Sequence, residues 1–347
     1  MRLRLARWRQ QLRATSRQTR NYSTVRPADA TATPFESVDV QEFRRSAFQA
    51  EKPLVLRRPG NLIGQSFLPA ASKWFKRDEV LQLPDPHQSQ SATFAPYMYR
   101  FAHHIFPYEL MSPQFSEDTE SVVDTTSQFL TWLASDPDPL GAVLAGIVHA
   151  ASPPSALEPR FSSFGAPLLL LLKATEFNRL RERNVRQLYI AQAQLPDLPQ
   201  QLQDDLPVPR IVREAGKGDI YNSSIWLGLE PTYTPLHRDP NPNLFCQLLG
   251  HKVVRLLPPS SGDHLYRRVQ MQIRESGNSR IRTSGMMEGR ERVVMNTAVW
   301  GAEIPEDIIE ARLSPGDALY IPTGWWHSVK SGHHDGQLNA SVNWWFR

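Results

Sequence analysis

The chain has one cysteine, Cys246, among 347 residues. That excludes an intramolecular disulfide framework, a multi-thiolate zinc site and a cysteine-held iron–sulfur cluster. Cys246 sits in the apolar stretch Leu244-Phe245-Cys246, so it reads as a buried, inert thiol rather than a nucleophile. Long apolar runs are also missing. The longest, Leu168 to Leu172, would make about a turn and a half of helix, far short of a bilayer, and membrane insertion is not expected. Acids are absent from the first 28 residues, where Asp29 is the first. Residues 1–22 hold seven arginines and no acid, so the remainder carries about −3 against +4 for the whole chain. The basic balance is therefore local, and global charge makes no case for nucleic-acid binding. Proline, by contrast, is plentiful at 29 residues, which favours short strands and shaped loops over a helix bundle.

Within that basic start, Met1, Leu5, Trp8 and Leu12 fall on one stripe of a helix and arginines fill the rest of the circumference. A basic, amphipathic segment rich in Ser and Thr and free of acids has the composition of a mitochondrial presequence. Residues 1–22 are read as such, with a matrix address and a peptidase site near Arg20-Asn21-Tyr22-Ser23. A basic tail and a membrane-surface helix are the competing readings.

Residues 23–37 form a polar linker. The stretch 38–160 is expected to be a mostly helical region packing on the core, with a short buried strand at Lys52–Arg57 and helices over Ser72–Leu83 and Gln128–Val148. His103-His104 reads as structural, since adjacent helical residues do not share a face. From 161 to 347 the pattern changes to short alternating strands: Leu188–Leu195, Ile225–Leu229, Leu244–Leu249, Val253–Leu257, Ala318–Ile321 and Ala340–Phe346. Many short strands without regular intervening helices predict a mainly β jelly roll with a partly helical amino-terminal region. Residues 259–312 read as loops over its mouth. They carry Arg267, Arg268, Arg274, Arg280, Arg282, Arg290 and Arg292, which is either a solvated face or a docking surface for an acidic segment or RNA.

The chemistry gathers in Tyr233-Thr234-Pro235-Leu236-His237-Arg238-Asp239. Residues i and i+2 of a strand share a face, so His237 and Asp239 project together. A distant strand can add a third ligand. Gly316-Asp317-Ala318-Leu319-Tyr320-Ile321-Pro322-Thr323-Gly324-Trp325-Trp326-His327 supplies one in His327, 90 residues after His237. Two histidines and a carboxylate make the facial triad that suits iron(II) and leaves positions open on the metal.

These motifs resemble the JmjC and cupin-like hydroxylase family, especially the subgroup around the asparaginyl hydroxylase of hypoxia-inducible factor, over roughly residues 185–347. The resemblance implies a double-stranded β-helix (the jelly roll of cupin and JmjC proteins), a catalytic metal held by His237, Asp239 and His327, and dioxygenase chemistry with Fe(II), 2-oxoglutarate and O₂. By the same match, Lys252, 15 residues after His237, would pair with the far carboxylate of 2-oxoglutarate, helped by Thr234 and Tyr189. Asn243 and Asn343 match amides lining the site. Ala191 departs from the subgroup, which has a glutamine there, and Pro240 and Pro242 stiffen the loop after Asp239. The segment between His327 and Asn343 is also one residue longer. The substrate is therefore not carried over: a protein side chain is the first expectation and a modified tRNA base the second. A histone demethylase ranks behind both, because one cysteine leaves no zinc reader finger. A cupin holding another metal without 2-oxoglutarate and an inactive binding protein stay open, and a homodimer is not readable.

Overall fold

The computed structural model describes residues 25–58, 68–77, 92–111, 119–151, 161–180, 184–273, 284–287 and 289–347. The presequence reading, the first two residues of the linker, and Arg274, Arg280 and Arg282 fall outside them. Sixteen strands are present among the described residues. They are β1 (Arg26–Pro27), β2 (Ala30–Thr31), β3 (Leu54–Leu56), β4 (Phe75–Arg77), β5 (Ala92–Phe94), β6 (Ile105–Met111), β7 (Phe161–Pro167) and β8 (Leu188–Gln194). There follow β9 (Ile220–Leu229), β10 (Tyr233–Arg238), β11 (Asn243–Leu249), β12 (Lys252–Leu257), β13 (Ile309–Leu313), β14 (Ala318–Ile321), β15 (Trp326–Ser331) and β16 (Leu338–Phe346).

The strands form a jelly roll of two facing sheets. The larger runs β2-β3-β14-β11-β16-β9-β8-β6-β7 and the smaller β1-β13-β12-β15-β10, while β4 and β5 make a separate ribbon. Apart from the parallel edge pairs β1–β13 and β2–β3, the pairings are antiparallel. Side-chain alternation explains why both faces of the larger sheet are covered. On β11, Leu244, Cys246 and Leu248 join the main apolar core, whereas Phe245 joins a second core between the sheets with Val254, Leu256, Ala311, Leu313, Leu319, Ile321 and Val329. Cys246 is buried as expected, and burial raises its thiol pKa well above the ordinary value.

Several expected elements change. The helix expected over Ser72–Leu83 is a single turn, Ala70–Lys73, followed at once by β4, and the residues beyond Arg77 lie outside the described ones. Trp74 is wedged into the core with its indole N–H donating to Asp205 (2.9 Å), which ends the turn where Phe75 and Phe94 meet across the β4–β5 ribbon. Gln128–Val148 is not one helix but two, Thr119–Ala134 and Leu140–Ala151. The break is Asp136-Pro137-Asp138-Pro139, where the aspartate side chains accept from the Asp138 and Leu140 N–H groups. Strands are also present among residues 38–160: β6 pairs with β7 and β8, and Phe106, Tyr108 and Leu110 point into the core.

The expectation of loops over 259–312 is corrected most clearly. The segment is helical at Pro259–Ile273, Ser284–Met287 and Gly289–Trp300 before it becomes β13. Leu265, Val269, Met295 and Val299 pack with Leu236, Leu257 and Trp326 on the outer face of the smaller sheet, an apolar stripe that a loop would leave exposed. Arg267, Arg268 and Arg290 are exposed, but Arg292 is buried with its guanidinium over the Tyr233 ring at 4.6 Å. Beneath these helices, Lys330 lies over the rings of Trp300 (4.7 Å) and Tyr233 (5.2 Å). Burial, and then the charges of Arg255 and Arg292, push its pKa down to about 8. The unfolded ammonium keeps its proton to pH ~10.4. The charged form is thus penalised in the fold at pH 7, and the penalty is relieved as pH rises from about 8 to the unfolded value. Lys330→Met is expected to stabilise the protein at pH 7 by on the order of 1 kcal/mol, after loss of the ring contacts. It should also flatten the rise in stability above pH 8, as chemical denaturation across pH would show.

Candidate metal centre

His237, Asp239 and His327 come together at one end of the space between the sheets. One ligand atom from each lies within 4.8 Å of the others. The pairing of β10 with β15 does this, because His237 and His327 are direct partners across the ladder, just after a register shift between Thr234 and His237. Asp239 stands one residue beyond β10, with oxygens 3.9 Å from His237 Nε2 and 3.5 Å from His327 Nε2. Each Nδ1 faces a backbone carbonyl, Pro235 O at 2.9 Å and Trp325 O at 3.3 Å. A carbonyl only accepts, so both Nδ1 atoms carry a hydrogen and each Nε2 faces the carboxylate. Burial works to raise the Asp239 carboxyl, but His327, His237 and donors from Trp345 and Asn243 outweigh it and hold the group below its ordinary value. Two imidazole nitrogens and a carboxylate oxygen, with no thiolate, fit an octahedral divalent ion.

The remaining residues singled out by sequence line the same cavity: Tyr189, Thr234, Asn243, Lys252 and Asn343 all border it. The Asn243 amide donates to Asp239 Oδ2 (2.9 Å) and its carbonyl oxygen accepts from Asn343 Nδ2 (3.3 Å). Asn343 in turn accepts from Trp226 Nε1 (2.8 Å). A chain of amides thus runs from β9 through β16 and β11 to the carboxylate, fixing its rotamer. Lys252, from the smaller sheet, is buried and crosses the barrel. Its ammonium donates to Tyr189 Oη (3.0 Å) and Ser341 Oγ (2.9 Å) and lies over the Phe245 ring at 5.2 Å. The cavity therefore has one end lined by His237, Asp239 and His327 and another that is cationic and lined by hydroxyls.

Sequence reading missed Ser341, Trp226, Thr232, Val329 and Trp345. The signal for Ser341 is in plain view. Asn339, Ser341 and Asn343 alternate along an otherwise apolar β16, and all are buried, so they line one inward face. His103 and His104 do not join the site; His104 packs edge-on against Phe106 at 4.9 Å. Ala191 is buried on β8.

Gly228 sets the position of Tyr189. A Cβ there would come within 2.6 Å of Tyr189 Cα and Cδ2, and closer still to the Leu188 carbonyl across the β8–β9 ladder. Gly228→Ala is expected to cost about 1–3 kcal/mol and to displace the Tyr189 hydroxyl from Lys252. Denaturation, with titration of anionic ligands into the cavity, would measure both.

Comparison with known proteins gives a match of residues 146–347 to the model of a family described as the cupin-like domain. The chain is 31% identical over 163 residues to JmjC domain-containing protein D of Dictyostelium discoideum, covering 41% of this chain and 32% of that one. It is 30% identical over 158 residues to lysine-specific demethylase JMJ30 of Arabidopsis thaliana (46% and 33%) and 29% over 160 residues to lysine-specific demethylase 8 of Danio rerio (46% and 36%). These matches span about a third of the relatives' own length.

Proposed function

This chain belongs to the cupin-like domain family, and from that membership we propose that it is an iron(II)- and 2-oxoglutarate-dependent dioxygenase acting on a protein side chain. The observation that carries the reading is the two-ended cavity, with the His237–Asp239–His327 triad at one end and the buried Lys252 ammonium at the other. His237, Asp239 and His327 would hold the iron, which when bound supplies oxidation of a C–H bond with O₂ and 2-oxoglutarate. Lys252, Tyr189 and Thr234 would bind and orient the far carboxylate of the cosubstrate by charge-assisted bonds. Asn243 keeps Asp239 turned to the metal. An inward face of Phe245, Val329, Trp226 and Trp345 limits water around the reacting groups.

Two outcomes of one oxidation are in view for the substrate. Hydroxylation of an ordinary side-chain carbon leaves the hydroxyl in place, whereas hydroxylation of an N-methyl carbon ends in loss of formaldehyde. The names of the relatives favour the second, lysine demethylation. The basic start of the chain favours a mitochondrial matrix protein and so a target away from chromatin. The exposed Arg267, Arg268 and Arg290 on the helical insertion would receive an acidic protein segment; RNA phosphates are the alternative for the same charges. Anaerobic addition of Fe(II) and 2-oxoglutarate is expected to give a weak visible charge-transfer band, absent with either alone. No band would leave a cupin of another kind. Amino-terminal sequencing of the native protein tests the compartment: a start near Tyr22 or Ser23 supports it, and an intact Met1 in a cytosolic fraction refutes it.

A further inference from the structure

A second cavity, of about 190 Å³, lies outside the barrel between the end of β3, the β4 ribbon and the β13–β14 turn. Its walls include Arg58, Ser72, Phe75, Arg77 and Gly316. Two guanidinium groups therefore share one small space.

The two adjacent arginines after β3 are treated very differently. Arg57 donates to Asp317 Oδ2 (2.8 Å) and to the Arg312 carbonyl (2.6 Å). Asp317 spends its other oxygen on the Arg58 backbone N–H (3.0 Å) and also accepts from the Ser314 N–H (3.0 Å). That carboxylate takes three bonds, none of them from the Arg58 side chain. Arg58 Nε and Nη2 are buried and make no hydrogen bond among the described residues. Its stem is nevertheless held firmly. It crosses the β13–β14 turn where Gly316 adopts φ +93°, and a Cβ on that glycine would come within 2.5 Å of Arg58 Cδ. Arg77, at the end of β4, faces it closely enough that burial, and then the Arg58 charge, lower its pKa. Buried guanidinium donors without acceptors are costly, and a second cation nearby adds to that cost. One ligand class lowers that cost: a compact oxyanion in the shared cavity, whose charge cancels two cations and which accepts from the guanidinium edges that line it.

We propose that Arg58 and Arg77 form a binding site for a phosphate-type dianion, separate from the metal centre. The charge match selects a dianion over a monocarboxylate, since a carboxylate would neutralise one guanidinium and leave the other. The space is several times the share of one water, enough for a phosphoryl group with solvent or an attached moiety. The site is independent of the oxygenase reading, because none of its walls borders the triad's cavity.

The test uses the full chain, stripped of metal so that phosphate has no iron to bind. Inorganic phosphate is titrated calorimetrically and by thermal shift against sodium chloride at matched ionic strength. A saturable phosphate response is expected in the wild type, with acetate about tenfold weaker or worse. Arg58→Gln and Arg77→Gln should each weaken phosphate by about tenfold or more, while Mn(II) binding at the triad stays unchanged and reports intact folding. Should Arg58→Gln fail to fold, Arg77→Gln and Arg77→Lys decide the matter, lysine recovering part of the affinity by charge alone. A phosphate response no larger than that of chloride, acetate binding as tight as phosphate, or full phosphate affinity in folded Arg77→Gln would each overturn the proposal.

Discussion

Asp239→Ala is expected to lower divalent-metal affinity by well over 100-fold and to bring 2-oxoglutarate turnover below detection. The carboxylate contributes the anionic donor of the triad and stands within 3.5 and 3.9 Å of the two imidazoles. Its removal leaves two neutral nitrogens, which hold a hard divalent ion poorly. The neighbouring Asn243 gives an internal scale. It touches Asp239 Oδ2 rather than the metal position, so Asn243→Ala should cost only about 10–100-fold in affinity, the usual effect of losing a ligand's supporting partner. Calorimetry with Mn(II) or Zn(II) measures both without needing a substrate. Equal losses in the two variants would argue against Asp239 as a ligand. Wild-type metal affinity in Asp239→Ala would remove the metal centre altogether.

How much of this was legible in sequence follows from where the information lies. His237 and Asp239 announce themselves because strand periodicity is local and two residues long. His327 was legible through its own motif, yet its partnership with His237 is a fact of ladder register that no local pattern contains. The strands themselves were found near Leu188, Leu244, Val253 and Ala318 because each carries a short run of mostly apolar residues. β6 was missed because Pro107 interrupts it, although Phe106, Tyr108 and Leu110 still alternate into the core. The insertion was misread because its arginines, serines and glycines suggest loops, and the buried stripe of Leu265, Val269, Met295 and Val299 is divided between two separate helices. Arg292 shows the limit most plainly. Within a run of arginines it looks like its solvated neighbours, and only the docking of its helix over Tyr233 buries it. Ser341 is the opposite case, a residue whose inward position could have been read from Asn339 and Asn343 on either side.

Lys252→Met should separate binding from folding, because the two effects are expected to diverge. The ammonium is buried, bonded to the Tyr189 and Ser341 hydroxyls, and aimed into the cavity from the strand next to β15. If its task is to meet the far carboxylate of 2-oxoglutarate, the variant loses a desolvated charge pair, and affinity should fall by about 100-fold or more. The ligand-free protein should respond little. Methionine fills a similar volume against Phe245 and Tyr189 and removes a charge that is expensive to keep out of water, while the two hydroxyls lose a donor. These terms oppose one another, so stability without ligand should change by less than about 2 kcal/mol. In the wild type, saturating 2-oxoglutarate with Mn(II) adds about 2.7 kcal/mol at 100 times Kd, and that increment should vanish in the variant. Denaturant melts with and without 2-oxoglutarate give both quantities from one protein preparation. A lysine kept for structure alone would give the reverse pattern, a large loss of ligand-free stability with the 2-oxoglutarate increment preserved, and that pattern would remove Lys252 from the cosubstrate site while leaving the triad untouched.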